Sequence, residues 1–399
     1  MRQFLTRLAP AIKWLRLLYG LVFFAISLLP FFPAPNRLAW MLGIGVTEWG
    51  HIFALFGLIP LMPSFRKSRP ALAGAAFGVA GIALALSSIV RACWMAGDVC
   101  VELQRAFGDA PVRFGVDNAP ARPAPIVLSD IPFGISCPDV ALRTVVYASP
   151  GGTPLEMDIC APPARDPASP AAPILLTIHG GSWRSGNRAE LPAINRYLAS
   201  RGYCVASIDY RLAPAHKFPA AFEDIRAAVD YLKKNAGSLH VDPQRIALFG
   251  RSAGGNLALL GAYRLNDPDI RGVIAVYAPT DLVYGYSHPT NPRVLNSKGV
   301  LEDFLGGTPD TAATAYHDAS PLNFVDARTP ATLLIHGDHD DFVGLVHSER
   351  LMERLQAKRR PALLLKIPWG NHGCDANLSG PGGQIALFAI ERFLAATLK

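Results

Sequence analysis

Cysteine and charge are both scarce in this chain, and each scarcity excludes something. The six cysteines among 399 residues form no C-x-x-C and no zinc-ligand spacing, so no metal centre is expected. Cys204 sits in an apolar strand and reads as core, while Cys137 and Cys160 could pair only if their domain is exported. Charged residues make up 17% of the chain against 50% apolar ones, and the mean hydropathy is +0.23. That balance points to membrane content. The net charge of +7 does not indicate a nucleic-acid partner, because all of it lies in the first hundred residues. Arg2, Arg7, Lys13, Arg16, Arg37, Arg66, Lys67, Arg69 and Arg91 face only Glu48 and Asp98 there. The rest of the chain is neutral and has no basic face. Basic residues flanking apolar segments are what orients membrane helices.

Three apolar segments stand out in the N-terminal region. Leu17–Phe32 is at the short end of a spanning helix, and Trp40–Leu61 and Ala71–Val90 are each about the twenty residues a bilayer needs. The second carries Glu48 and His51, expected one turn apart on one face and turned toward a partner helix or water. Segment one also has the basic start of a secretory signal. Its exit, Phe32-Pro33-Ala34-Pro35, is a poor cleavage site, and a retained helix is the expectation. The basic counts of successive flanks are four, one and three. They place the N-terminus and second loop in the cytoplasm and the C-terminal part outside it. Residues 1–92 therefore read as membrane-spanning helices, and 93–140, with five prolines from Pro111 to Pro132, as an extended connector.

From about residue 141 to 399, strand and helix patterns alternate. Strands are expected at Thr144–Tyr147, Leu155–Cys160, Ile174–Ile178, Tyr203–Asp209, Arg245–Phe249, Gly272–Tyr277, Ala331–Ile335 and Leu363–Ile367. Helices are expected at Glu190–Ser200, Ala220–Lys234 and Gly383–Thr397. Such alternation implies a mainly parallel sheet covered on both faces, with chemistry at the carboxyl ends of its strands. Three polar motifs follow strands as that rule requires. Gly250-Arg251-Ser252-Ala253-Gly254 is a G-x-S-x-G turn between a strand and a helix. The glycines allow a sharp turn, and the helix N-terminus favours negative charge near Ser252. His179-Gly180-Gly181-Ser182-Trp183 can turn backbone N–H groups outward, and Ala253 N–H adds a second wall for an oxyanion. Carboxylates at Asp338, Asp340 and Asp341, then His372 within Trp369-Gly370-Asn371-His372-Gly373, complete the order Ser…Asp…His. Asp340 is expected to orient the imidazole, and Asp338 and Asp341 to form turns.

With these residues residues 140–399 resemble an α/β-hydrolase of the esterase/lipase group that includes hormone-sensitive-lipase-like carboxylesterases. Asp209-Tyr-Arg-Leu-Ala-Pro214, Phe218-Pro-Ala-Ala221 with Asp224, and Ser320-Pro-Leu322 carry the likeness further. The resemblance implies Ser252 as nucleophile, His372 as base and Asp340 as its orienter, with Gly181, Ser182 and Ala253 forming an oxyanion hole. His179, Gly180, Trp183 and Arg251 are expected to contact substrate. Arg251 stands where lipase-like members often have Asp, Lys217 replaces a common Pro, and Ser182 replaces a frequent third glycine. The N-terminal helices lie outside the family pattern. The implied activity is hydrolysis of a small-molecule or lipid ester through an acyl-enzyme, with neither metal nor cofactor. HGG-x-W also resembles formamidase-like relatives, which keeps an amide substrate as an alternative, beside a non-enzymatic exported module on the same fold. Segment Asp281–Asn323, with Tyr284, Tyr286 and Phe304, is expected to roof an acyl pocket.

Overall fold

The computed structural model describes residues 2–62, 68–109, 113–114, 119–162, 170–190 and 192–399. Arg66, Lys67 and Pro111 lie outside the described residues.

Helix α1, Arg2–Leu28, and helix α4, Arg69–Phe107, are each long and apolar enough to cross a membrane by length and composition. Small residues let them touch. A Cβ on Gly20 would lie 2.3 Å from Gly74 O, and one on Gly81 would meet the Phe23 ring. Backbones approach this closely in membranes because packing replaces the hydrophobic drive between helices. The contacts advance together along both helices, so α1 and α4 run parallel.

The expected second span differs. It is broken at Trp49 into α2, Arg37–Glu48, and α3, Gly50–Gly57, continued by a 3-10 turn Ile59–Leu61 and bent by 95° from α2. Glu48 and His51 therefore share no face. Glu48 is fully buried against the C-terminal part of the chain. Its carboxylate accepts from Gly382 N–H at 3.2 Å and its carbonyl from Asn377 Nδ2 at 2.9 Å. α3 runs antiparallel to α4, with Gly50 against Ala85 and Gly57 against Ile82.

The connector also begins later than the sequence suggests. α4 continues through Cys93 to Phe107, so its 39 residues extend about 58 Å, roughly twice a bilayer core. Its C-terminal half packs into the sheet-bearing part of the chain. Ala92, Val99 and Leu103 are buried in the core under one face of the sheet. Among the described residues that follow, Asp130–Phe133 form one short helical turn.

The sheet has eight strands: β1 Leu142–Ala148, β2 Leu155–Cys160, β3 Ala172–Ile178, β4 Cys204–Ile208, β5 Val241–Arg251, β6 Ile270–Val276, β7 Ala331–Gly337 and β8 Ala362–Ile367. Their spatial order is β8-β7-β6-β5-β3-β4-β2-β1, parallel except for β2, which is antiparallel to both its neighbours. Helices α5, Pro192–Ser200, α6, Ala220–Lys234, and α7, Ala253–Arg264, follow β3, β4 and β5. Helices α8, Leu282–Ser287, and α9, Ser297–Leu305, lie in the long β6–β7 excursion. Helices α10, Val346–Ala357, and α11, Pro381–Thr397, complete the chain. The central strands are buried on both faces, which is why they read as continuous apolar runs. Cys137 and Cys160 are both free thiols.

Candidate active site

The turn after β5 is built by its glycines. A Cβ on Gly250 would sit 2.1 Å from Gly254 O, and one on Gly254 would sit 2.2 Å from Ile178 O. Any side chain there would push β5, α7 and β3 apart. Ser252 takes the bend itself, at φ 52° and ψ −121°, a left-handed region that is strained for a residue with a Cβ. Its N–H donates to Val276 O at 2.9 Å, which holds the bend against β6. The hydroxyl then stands at the N-terminus of α7.

His372, on the loop after β8, bridges two side chains. Its Nε2 is 2.9 Å from Ser252 Oγ and its Nδ1 is 2.8 Å from Asp340 Oδ2. An ionised carboxylate only accepts, so Nδ1 carries the hydrogen and Nε2 is free to accept from the Ser252 hydroxyl. Burial by itself would push the Asp340 carboxyl up. The His372 and His336 rings and their hydrogen bonds outweigh it and hold the group well below the usual carboxylate range. Oδ1 of Asp340 accepts from Phe342 N–H at 2.8 Å and Val343 N–H at 2.9 Å, which fixes the carboxylate in its turn. Phe342 stacks on the other side of the imidazole, ring centroids 4.9 Å apart.

The neighbouring carboxylates behave differently from expectation in one case. Asp338 is an exposed turn residue. Asp341 is no mere turn former, because its side chain bonds across the fold. It accepts from Ala34 N–H at 3.2 Å and from Asn371 Nδ2 at 2.7 Å. Asn371 Oδ1 in turn accepts from His372 N–H at 2.7 Å. The segment before α2 is thus tied to the loop that carries His372. Nothing in the sequence signalled this link, since 307 residues separate its ends.

Gly181 and Ser182 both have positive φ, 105° and 56°. No hydrogen bond occupies either N–H among the described residues, and Ala253 N–H is at the first position of α7, where no helical acceptor exists. The three donors flank Ser252, with Ser182 and Ala253 lining the same cavity as the serine. Gly180 N–H donates to Glu190 Oε2 at 2.6 Å, which sets the loop's direction. The residues expected to touch substrate divide. Gly180 and Arg251 line one cavity and Trp183 another. His179 lines neither: it is buried, stacked on Tyr210 at 4.2 Å, and braces the loop from behind through Gly180 O. Arg251 is ion-paired with Asp375, which also accepts from Tyr277 OH at 2.7 Å. Sequence reasoning gave no role to Asp375, Tyr277 or His336, although His336 opens the same post-strand stretch, His336–Val343, that holds Asp340.

Ser252 lies between two cavities. The smaller, about 70 Å³, is bounded by Ser182, Trp183, Ala253, Leu282, Leu295, Val300, Leu301 and His347. Residues of the excursion after β6 line it, the aliphatic Leu282, Leu295, Val300 and Leu301 together with the polar His288, Thr290 and Ser297. Phe304 is buried behind, stacked on Trp183 at 4.3 Å, and Tyr284 and Tyr286 are not in the lining. The larger, about 410 Å³, contains His372 and Gly181 and is walled on one side by Arg37, Trp40 and Ile44 of α2.

Several known proteins similar to this chain are named as esterases. The BD-FAE family matches residues 157–355. The chain is 31% identical over 242 residues to the esterase LipC of Mycobacterium tuberculosis, covering 58% of this chain and 60% of LipC. It is 30% identical over 236 residues to the probable carboxylic ester hydrolase LipM of the same organism, covering 56% of this chain and 54% of LipM. It therefore spans little more than half the length of these two relatives. Among solved structures, the thermostable carboxylesterase EstE1, cloned from a metagenomic library, superposes with a TM-score of 0.58. It shares 25% identity, over 66% of this chain and 92% of that one. From Leu142 onward the chain has the α/β-hydrolase fold, and in sequence it is similar to carboxylesterases.

Proposed function

We propose that the protein is a membrane-anchored serine carboxylester hydrolase, with Ser252, His372 and Asp340 as its triad. The observation that carries this reading is the single imidazole set 2.9 Å from a strained serine hydroxyl and 2.8 Å from a buried carboxylate. His372 Nε2 takes the Ser252 proton as Oγ attacks the ester carbonyl, and Asp340 holds the imidazole in the needed tautomer. Gly181, Ser182 and Ala253 N–H groups receive the oxyanion, each donor being worth about 2.7–4 kcal/mol in comparable sites. His372 gives its proton to the departing alcohol. Water, deprotonated by His372, then releases the acid and restores Ser252. No step calls on a cofactor.

The anchor comprises α1 and α4 with the bent α2–α3 pair between them. The parallel course of α1 and α4 supports one arrangement of the basic residues. Lys13 and Arg16 lie at the same end as Arg69, away from the hydrolase domain, which favours a cytoplasmic N-terminus and an extracytoplasmic domain.

The test is Ser252→Ala in the full chain, assayed with p-nitrophenyl acetate. Loss of a triad nucleophile costs about 10⁶ in kcat, with unchanged secondary structure by circular dichroism. Residual activity above about a hundredth of wild type refutes the assignment, as does failure of a fluorophosphonate probe to label Ser252.

A further inference from the structure

The larger cavity at Ser252 has a wall that comes from the membrane segment. α2 presents Trp40, Ile44 and Glu48, spaced four residues apart, to the hydrolase domain. Trp40 stacks on Phe342 at 4.4 Å, and Phe342 stacks on His372 at 4.9 Å. Ile44 lies against Gly373 and Glu48 against Gly382. The N-terminal end of α2 is fastened as well. Arg37 N–H donates to Arg293 O at 3.2 Å, and Ala34 N–H donates to Asp341. The opposite side of α2 is apolar and open: Leu38 is 66% exposed and Met41 55%. Phe32, just past the α1 segment able to cross a membrane, is 63% exposed as well. The helix therefore stands between the bilayer surface and the catalytic histidine.

Chemistry decides which part of a substrate meets α2. The departing alkoxide must lie near His372 Nε2, because that nitrogen supplies its proton. His372 lines the 410 Å³ cavity and not the 70 Å³ one. The alcohol thus belongs in the cavity walled by Trp40 and Ile44, and the acyl group in the small pocket of about 70 Å³, which leaves room for only a short chain. The alcohol cavity is mixed in character. Val294, Leu295, Trp40 and Ile44 supply apolar surface, and Arg37, which makes no ion pair among the described residues, supplies charge.

We propose that α2 is the alcohol-side wall of the active site, and that the substrate is a short-acyl ester of an amphiphilic alcohol resident in the bilayer. The proposal rests on the serine-esterase reading above. Ser252 Oγ bonds to the carbonyl carbon, the ester C–O bond breaks, and the alkoxide takes the proton from His372 and returns to the membrane as an alcohol. Water then hydrolyses the acyl-serine, and a short carboxylic acid leaves to the aqueous side. Trp40 is the positioning residue that shapes this cavity.

The experiment uses the full chain reconstituted in phosphatidylcholine vesicles with three probes. These are p-nitrophenyl acetate, oleyl acetate (short acyl, long alcohol) and methyl oleate (long acyl, small alcohol). Oleyl acetate is expected to exceed methyl oleate in kcat/KM by about ten-fold or more. Trp40→Ala should raise KM for oleyl acetate about ten-fold beyond any change it makes for p-nitrophenyl acetate, and Trp40→Phe, which keeps the ring stack, should recover most of that. A preference for methyl oleate overturns the proposal, as does a Trp40→Ala loss that is equal on both acetates. If Trp40→Ala does not fold, the wild-type comparison of the two oleyl compounds decides. Cleavage of p-nitrophenyl acetate without cleavage of oleyl acetate defeats this inference alone. Failure on all three probes defeats the esterase reading itself.

Discussion

Replacing Asp340 by Asn changes one atom of the proposed triad and should disable it through the histidine tautomer. Phe342 and Val343 both donate their N–H groups to Oδ1 of Asp340. Asn can keep those two bonds only with its own carbonyl oxygen there, which turns its NH₂ toward His372 Nδ1. That nitrogen must then accept, so the hydrogen moves to Nε2 and His372 can no longer take the Ser252 proton. The alternative orientation sets the NH₂ against two backbone donors and leaves both unsatisfied. At about 1–3 kcal/mol for each buried unpaired group, the cost is roughly 2–6 kcal/mol, so the disabling orientation wins. A wrong tautomer in comparable triads lowers turnover about 10⁴-fold, or about 5.5 kcal/mol in the barrier. Steady-state kcat on p-nitrophenyl acetate measures it directly. Asp338→Asn, at an exposed turn, should stay near wild type. A loss below about ten-fold for Asp340→Asn, or a crippled Asp338→Asn, refutes the assignment of the acid.

Two further outcomes are expected. Burial, helped by the nearby His336, lowers the His347 imidazole to about 4, with Asp281, Asp340 and Arg350 the other charged groups around it. An unfolded His titrates near 6.5. Between these values the unfolded chain binds the extra proton, so the contribution of His347 is complete above about pH 6.5 and is lost as pH falls toward 4. It amounts to about 3 kcal/mol at most. His347→Gln should flatten the fall in thermal midpoint from pH 7 to 5 in detergent, and an unchanged slope contradicts the argument. Protease added to intact spheroplasts should digest the hydrolase domain, and full protection until lysis would show it to be cytoplasmic.

The sequence by itself determined the elements whose chemistry is local. Gly250 and Gly254 announce the elbow because the clash they avoid is with backbone a few residues away or on the adjacent strand. The apolar runs from Ile174 to Ile335 announce a sheet buried on both faces, and α6 was readable to the residue, Ala220–Lys234, from its amphipathic period. What distance along the chain conceals was decided by tertiary structure. Trp40–Leu61 reads as one apolar span, since hydropathy cannot register a 95° bend or a Glu48 that accepts from Gly382 N–H, at the N-terminus of a helix more than 300 residues later. Asp341 reads as a turn former, because its bonds to Ala34 and Asn371 depend on two loops meeting. Trp40 reads as the start of that apolar span, and only packing brings its ring to Phe342 and so to His372. A short motif fixes its own backbone. The side on which α2 docks depends on contacts between residues that the sequence keeps apart.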